Sequence, residues 1–287
     1  MATNRTVGQT GALLSAPANL DYLTSLARAA GGALLFAFPL LMTMEMWWLG
    51  HSMERWRLLV FLGSAGPMLL GLSYYAGFEP TFRLLDEVLD ALAAFAVGAV
   101  VSLVALLLLG QLGHDMSLGE IVGKLAVCAV PAGIGALVAG KQFSGNTGDG
   151  PERRKEHVGY PGRLFLMSVG AIFLAFSVAP TEEMVLIAYS MTPWHGLALM
   201  VVTVLLLHGF VYGLGFPGQP ERRADHGLRY TLLAFTLPGY GIALAISLYC
   251  LWAFGRLEGE ALHEIAMMTV VLGFPAGLGA ATSRLVI

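Results

Sequence analysis

The chain has 287 residues, 56% hydrophobic and only 12% charged, with a mean hydropathy of +0.72 and a formal net charge of -3. A soluble domain carries about twice that charged share. So few charges cannot coat a surface of this size with water unless lipid covers most of it, so a freely soluble protein is excluded.

Residues 1–27 are polar and hold one Arg and one Asp, with no basic stretch leading into an apolar one. They read as a partly disordered cytoplasmic leader and not as a cleaved signal peptide. Apolar runs long enough to cross a hydrocarbon core of about 30 Å follow. They predict spans at 29–50, 57–78, 88–112, 119–140, 164–191, 196–216, 230–255 and 264–285. Ser117-Leu118-Gly119-Glu120 has the spacing of a capping box and predicts a helix start. Gly145–His157 is a Gly-rich, charged linker. Cys128 and Cys250 fall inside apolar runs and read as buried free thiols, with no disulfide framework.

Of the 16 Lys and Arg, only Arg55, Arg57, Lys124 and Arg256 fall on one side of an eight-span arrangement. The remainder fall on the side that holds both termini, which the positive-inside rule assigns to the cytoplasm.

The sequence also repeats itself, and repeats of this kind set the architecture. Gly32-Ala33-Leu34-Leu35-Phe36-Ala37-Phe38 answers to Gly170-Ala171-Ile172-Phe173-Leu174-Ala175-Phe176. The same offset pairs Thr43, Glu45 and Met46 with Thr181, Glu183 and Met184, and Trp56 with Trp194. After a few inserted residues Glu120 pairs with Glu264, and Pro131–Ala136 with Pro275–Ala280. The expected fold is therefore an all-α polytopic membrane protein of about eight transmembrane helices, arranged as two parallel four-helix repeats. The leader is 1–27, the first repeat 28–141, a cytoplasmic linker 142–162 and the second repeat 163–287. Each unit has an even number of spans, so both enter the membrane in one direction, related by a pseudo-twofold axis along its normal. Equivalent residues then face each other across that axis at one depth.

The shared polar motif is Thr-x-Glu-Met, as Thr43-Met44-Glu45-Met46 and Thr181-Glu182-Glu183-Met184. Pro180 precedes the second copy and is expected to interrupt the helix, freeing backbone carbonyls for a ligand. A carboxylate within a span is costly unless paired or hydrated, so it marks a bundle interior or a wet cavity. Glu45 and Glu183, helped by Glu182, Thr43 and Thr181, are the candidate ion-binding or proton-coupling groups. The competing placement puts both acids at the headgroups or against Arg55, within the aromatic belt of Trp47, Trp48 and Trp194. Asp86 and Asp90, one helical turn apart with Glu87 between them, read as an inner acidic vestibule or as a solvated helix start. His51, His195 and His208 match no metal-ligand spacing, and His208 reads as a hydrogen-bonded packing residue. Lys124 is placed to pair with Glu120 along its helix. The Pro-Ala-Gly-x-Gly-Ala segments read as small-residue packing faces. No nucleotide, nucleophile-elbow or nucleic-acid signature occurs, and no cofactor is indicated.

Met42-Thr43-Met44-Glu45-Met46-Trp47-Trp48, Ala179-Pro180-Thr181-Glu182-Glu183-Met184 and Met191-Thr192-Pro193-Trp194-His195 resemble segments of a family of bacterial integral membrane proteins built on a domain of unknown function. The resemblance runs over nearly the whole chain after the leader. It implies a bacterial inner-membrane location and carries over no functional residue.

These features favour a cation, or proton-coupled cation, channel or transporter whose partners are the lipid bilayer and the transported cation or proton. A homo-oligomer is compatible with them. An integral membrane enzyme acting on a lipid or peptide, or a non-transporting sensor or assembly subunit, is the alternative.

Overall fold

The computed structural model describes residues 16–76, 84–113, 116–143, 159–214 and 228–286. Among them every regular element is helical: α1 (Ala16–Leu41), α2 (Met44–Ser52), α3 (Arg55–Ala76), α4 (Leu84–Leu108) and α5 (Leu118–Phe143). Then come α6 (Tyr160–Val178), α7 (Glu182–Ser190), α8 (Pro193–Leu214), α9 (Leu228–Ala253) and α10 (Leu262–Val286). Residues Leu232–Thr236 of α9 wind as a π-helical turn. Eight helices, all but α2 and α7, are long and apolar enough to cross a membrane. The bulk of the predicted linker, 144–158, lies outside the described residues. The described part of the leader, from Ala16 on, is already helical and forms the start of α1.

Two helices are enclosed and the others surround them. The apolar span of α5 is 78% buried, whereas that of α8 is only 22% buried although it is about as hydrophobic. Leu35, Leu59, Val201 and Leu205 stand out from the bundle. Outward-facing aliphatic side chains on helices of spanning length are the surface that lipid covers. Helices α1, α2, α3 and α4 pack on α5, while α6, α7, α8 and α9 pack on α10. The two groups meet through α3 against α9 and through α6 against α1, α3 and α5.

Small residues set the closest approaches. A Cβ on Gly135 of α5 would stand 2.7 Å from the Gly32 carbonyl oxygen of α1, and one on Gly279 of α10 would stand 2.1 Å from that of Gly170 on α6. The Pro-Ala-Gly-x-Gly-Ala segments thus let backbone meet backbone, the way apolar helices associate without a hydrophobic driving force.

Helix ends follow local chemistry. At the start of α5 the Ser117 amide donates to Glu120 Oε2 and the Glu120 amide to Ser117 Oγ, both at 3.3 Å, the reciprocal bonds of a capping box. Helix α4 closes at Gly110, with φ +67° and the Gln111 amide bonded to the Leu106 carbonyl at 2.8 Å. Helix α9 closes at Gly255, with φ +73° and the Arg256 amide bonded to the Leu251 carbonyl at 2.8 Å. Both are Schellman closures, in which glycine takes the left-handed position without a Cβ penalty.

Two predicted spans are divided. The run 29–50 breaks after Leu41 and resumes as α2, and the run 164–191 breaks after Val178 and resumes as α7. Apolarity continues through both breaks, which is why hydropathy merges the pieces.

Candidate functional site

Both breaks carry the Thr-x-Glu-Met motif, and the threonine is built the same way in each. Thr43 is extended (φ -90°, ψ 132°) and Thr181 likewise (φ -73°, ψ 143°). Neither hydroxyl caps the short helix that follows; each donates backward, Thr43 to the Leu40 carbonyl and Thr181 to the Val178 carbonyl, both at 2.8 Å. The last carbonyls of a helix have no partner in their own ladder, and a threonine three residues on satisfies one of them.

Other side chains reach two neighbouring carbonyls. Trp47 Nε1 donates to the Leu41 carbonyl at 2.6 Å, and the Arg256 guanidinium donates to the carbonyl of Pro180. Of the carbonyls at the second break that were expected to face a ligand, that of Val178 accepts from the Thr181 hydroxyl and that of Pro180 from Arg256.

Met46 and Met184 are buried and anchor the short helices. Glu45 lies in the first turn of α2 and is half-buried; Glu182 and Glu183 lie in the first turn of α7 and are exposed. Among the described residues no hydrogen bond or ion pair joins Glu45 to Glu183, or either to Arg55. Each sits at a helix N-terminus, where the macrodipole favours a negative charge. Helix α2 packs on α5 and α7 on α10, so the two motifs occupy corresponding places in the two helix groups.

The opposite end of the bundle holds an acidic pair, Glu87 buried and Asp90 half-buried. Ser73 Oγ lies 3.0 Å from Glu87 Oε2 and 3.0 Å from Asp90 Oδ2, drawing both carboxylates onto α3. Asp86 and Asp90 were expected to share a face, but Asp86 points outward and Glu87, three residues before Asp90, turns inward.

Lys124 does not pair with Glu120. Its ammonium donates to the Gln111 carbonyl at 3.1 Å and approaches Met116 Sδ at 3.8 Å, while Glu120 meets His51 Nδ1 at 3.4 Å. A buried ammonium needs acceptors within reach, and the turn after α4 supplies them. His195 Nδ1 accepts from the Thr192 amide at 3.2 Å at the start of α8. His208 Nδ1 lies 2.8 Å from Thr236 Oγ1, at the end of the π-helical turn. Cys128 and Cys250 are buried and free.

The sequence reading missed the cluster around Arg57, which ties the two helix groups together on the side of the short helices. Arg57 reaches Glu258 at 2.5 Å, Glu54 at 3.3 Å and the Trp252 carbonyl at 3.2 Å. Its guanidinium lies over the rings of Trp56 and Trp252. Beneath it, Phe61, Phe176 and Phe254 stack mutually, with centroids 5.4–5.9 Å apart. An arginine at the head of a span reads from sequence as an orientation signal, so nothing there hinted at a partner so distant in the chain. Among the described residues no three His, Cys, Asp or Glu side chains gather as a metal centre.

Residues 25–287 match the family DUF2391, described as an integral membrane protein. No curated protein and no solved structure matches the chain.

Proposed function

We infer that the chain, which belongs to the DUF2391 family of integral membrane proteins, is a cation channel or transporter built from two parallel four-helix units. The observation that carries this reading is the interrupted first helix of each unit, with a carboxylate in the first turn after the break. Interrupted helices are how membrane transporters place helix termini and acidic groups at an ion path.

Three pairs of local constructions support the duplication. The hydroxyls of Thr43 and Thr181 bond the carbonyl three residues back. Gly110 and Gly255 close the third span of each unit with the same bonds. Gly32 meets Gly135 as Gly170 meets Gly279. Parallel units put both breaks on one side of the membrane, which the Lys and Arg distribution assigns to the outside of a bacterial inner membrane with both termini cytoplasmic.

In this reading Glu45 and Glu183, with Glu182 beside the latter, are the outer acids that draw in a cation or proton, and Thr43 and Thr181 shape the breaks that hold them. Glu87 and Asp90 on Ser73 form the inner acidic station, with Asp86 at its mouth. Two carboxylates drawn together at such a point attract a cation.

The test is flux in proteoliposomes carrying Na+, K+ and H+ gradients. Wild-type protein should pass one of these ions, and Glu45→Gln with Glu183→Gln should lower the flux at least tenfold. No flux above empty vesicles, or unchanged flux in the double variant, overturns the reading.

A further inference from the structure

Beside α7 the structure holds a cavity of about 50 Å³ walled by Tyr189, Met191, His263, Glu264, Met267 and Met268. A space of this size accepts an ion with a water or two and is far below the several hundred Å³ an organic ligand fills. The lining is chemically unusual: three methionines, a histidine and a glutamate border one small cavity.

Glu264 Oε2 is shut off from solvent and, among the described residues, accepts no hydrogen bond. The neighbouring phenol does not supply one, because Tyr189 donates to Glu260. A desolvated carboxylate oxygen is costly unless a cation or donor stands beside it. Met267 and Met268 are buried and held by packing, and Gly196 of α8 leaves room for the Met267 sulfur, which would lie 3.0 Å from a Cβ there. His263 is exposed at the rim.

The corresponding place in the first unit is already filled. Glu120, the counterpart of Glu264, is held by His51 and the Ser117 amide, and the Lys124 ammonium lies one turn on beside Met116 Sδ. Met268 stands where the repeat aligns Lys124, so the second unit exchanges a built-in cation for a sulfur donor. This comparison rests on the proposed duplication; the donor set around the cavity does not.

We propose that the cavity binds a soft monovalent cation of the copper(I) class, held by the Met191, Met267 and Met268 sulfurs and neutralised by Glu264, with His263 at the entrance. Thioether sulfur selects soft ions such as copper(I). Calcium and magnesium need six or more oxygen ligands or near-octahedral oxygen geometry, which one carboxylate does not provide.

The full chain, purified in detergent, is titrated with silver(I) as a probe that does not change oxidation state, and with copper(I) under anaerobic reducing conditions against a chromophoric chelator. One equivalent should bind, with sulfur scattering in the X-ray absorption spectrum of the bound metal. Met191→Leu with Met267→Leu conserves side-chain volume, so the fold should survive, and should weaken binding at least tenfold. Glu264→Gln should weaken it as well, and Met68→Leu, far from the cavity, should not. Absence of bound metal, binding unchanged in the methionine double variant, or a spectrum without sulfur scattering overturns the proposal. Binding is read without any flux measurement, so its failure and that of the transport reading are distinguishable.

Discussion

Arg57, in the first turn of α3, lies 2.5 Å from Glu258, in the turn beyond α9, and so joins the two helix groups at the side of the short helices. The arginine side chain is only 12% exposed, whereas Glu258 is 60% exposed. The two partners should therefore respond differently to truncation. Glu258→Gln should cost about 0–1 kcal/mol, as an exposed ion pair does. Arg57→Ala should cost about 2 kcal/mol, because it also removes the stem packed between Trp56 and Trp252 and the bond to the Trp252 carbonyl. Thermal unfolding in detergent with each single variant measures the difference.

The glycine contacts give a graded prediction. Gly279→Ala should destabilise more than Gly135→Ala, since the added Cβ would meet a backbone oxygen at 2.1 Å and not 2.7 Å. Each should cost about 1–3 kcal/mol through forced separation of the paired helices. Gly63→Ala meets nothing within 4 Å and should be neutral or stabilising by up to about 1 kcal/mol. Unfolding midpoints of the three variants should rank in that order.

Tyr189 provides a pH test outside the spans. Its hydrogen bond to Glu260, followed by burial and by the negative charges of Glu260 and Glu264, raises its pKa above the phenol's ordinary value. The raised value means that the contact stabilises the protein below the unfolded phenol's pKa of about 10 and that this stabilisation fades as pH climbs through the folded value. In the difference titration between wild type and Tyr189→Phe, Glu260→Gln should move the phenol back toward its ordinary range. An unmoved titration would contradict the contact.

The chain's apolar runs made its spanning helices legible, and the Ser117–Glu120 spacing made one helix start legible to the atom. The break before α7 was foreshadowed by Pro180. The break before α2 was not, because Met42-Thr43-Met44 contains no glycine or proline and the threonine acts by bonding backward to Leu40. Lys124 was read against Glu120 because helical spacing is visible in sequence, whereas its true acceptor, the Gln111 carbonyl, lies across a turn. Whether Asp86 or Glu87 faces inward depends on Ser73, a residue of another helix. Sequence periodicity reports a helix's own faces, not the neighbour that selects one.

The central claim is that the two interrupted helices open on the same side of the membrane, and thiol accessibility tests it most directly. Met44 and Glu182 occupy the same place in the two motifs and are both exposed, and the native Cys128 and Cys250 are buried. Met44→Cys and Glu182→Cys should each react, in intact cells, with a membrane-impermeant thiol reagent added outside, and the native cysteines should not. Labelling of one position from outside and of the other only after the cells are opened would contradict the parallel arrangement and the shared ion path built on it.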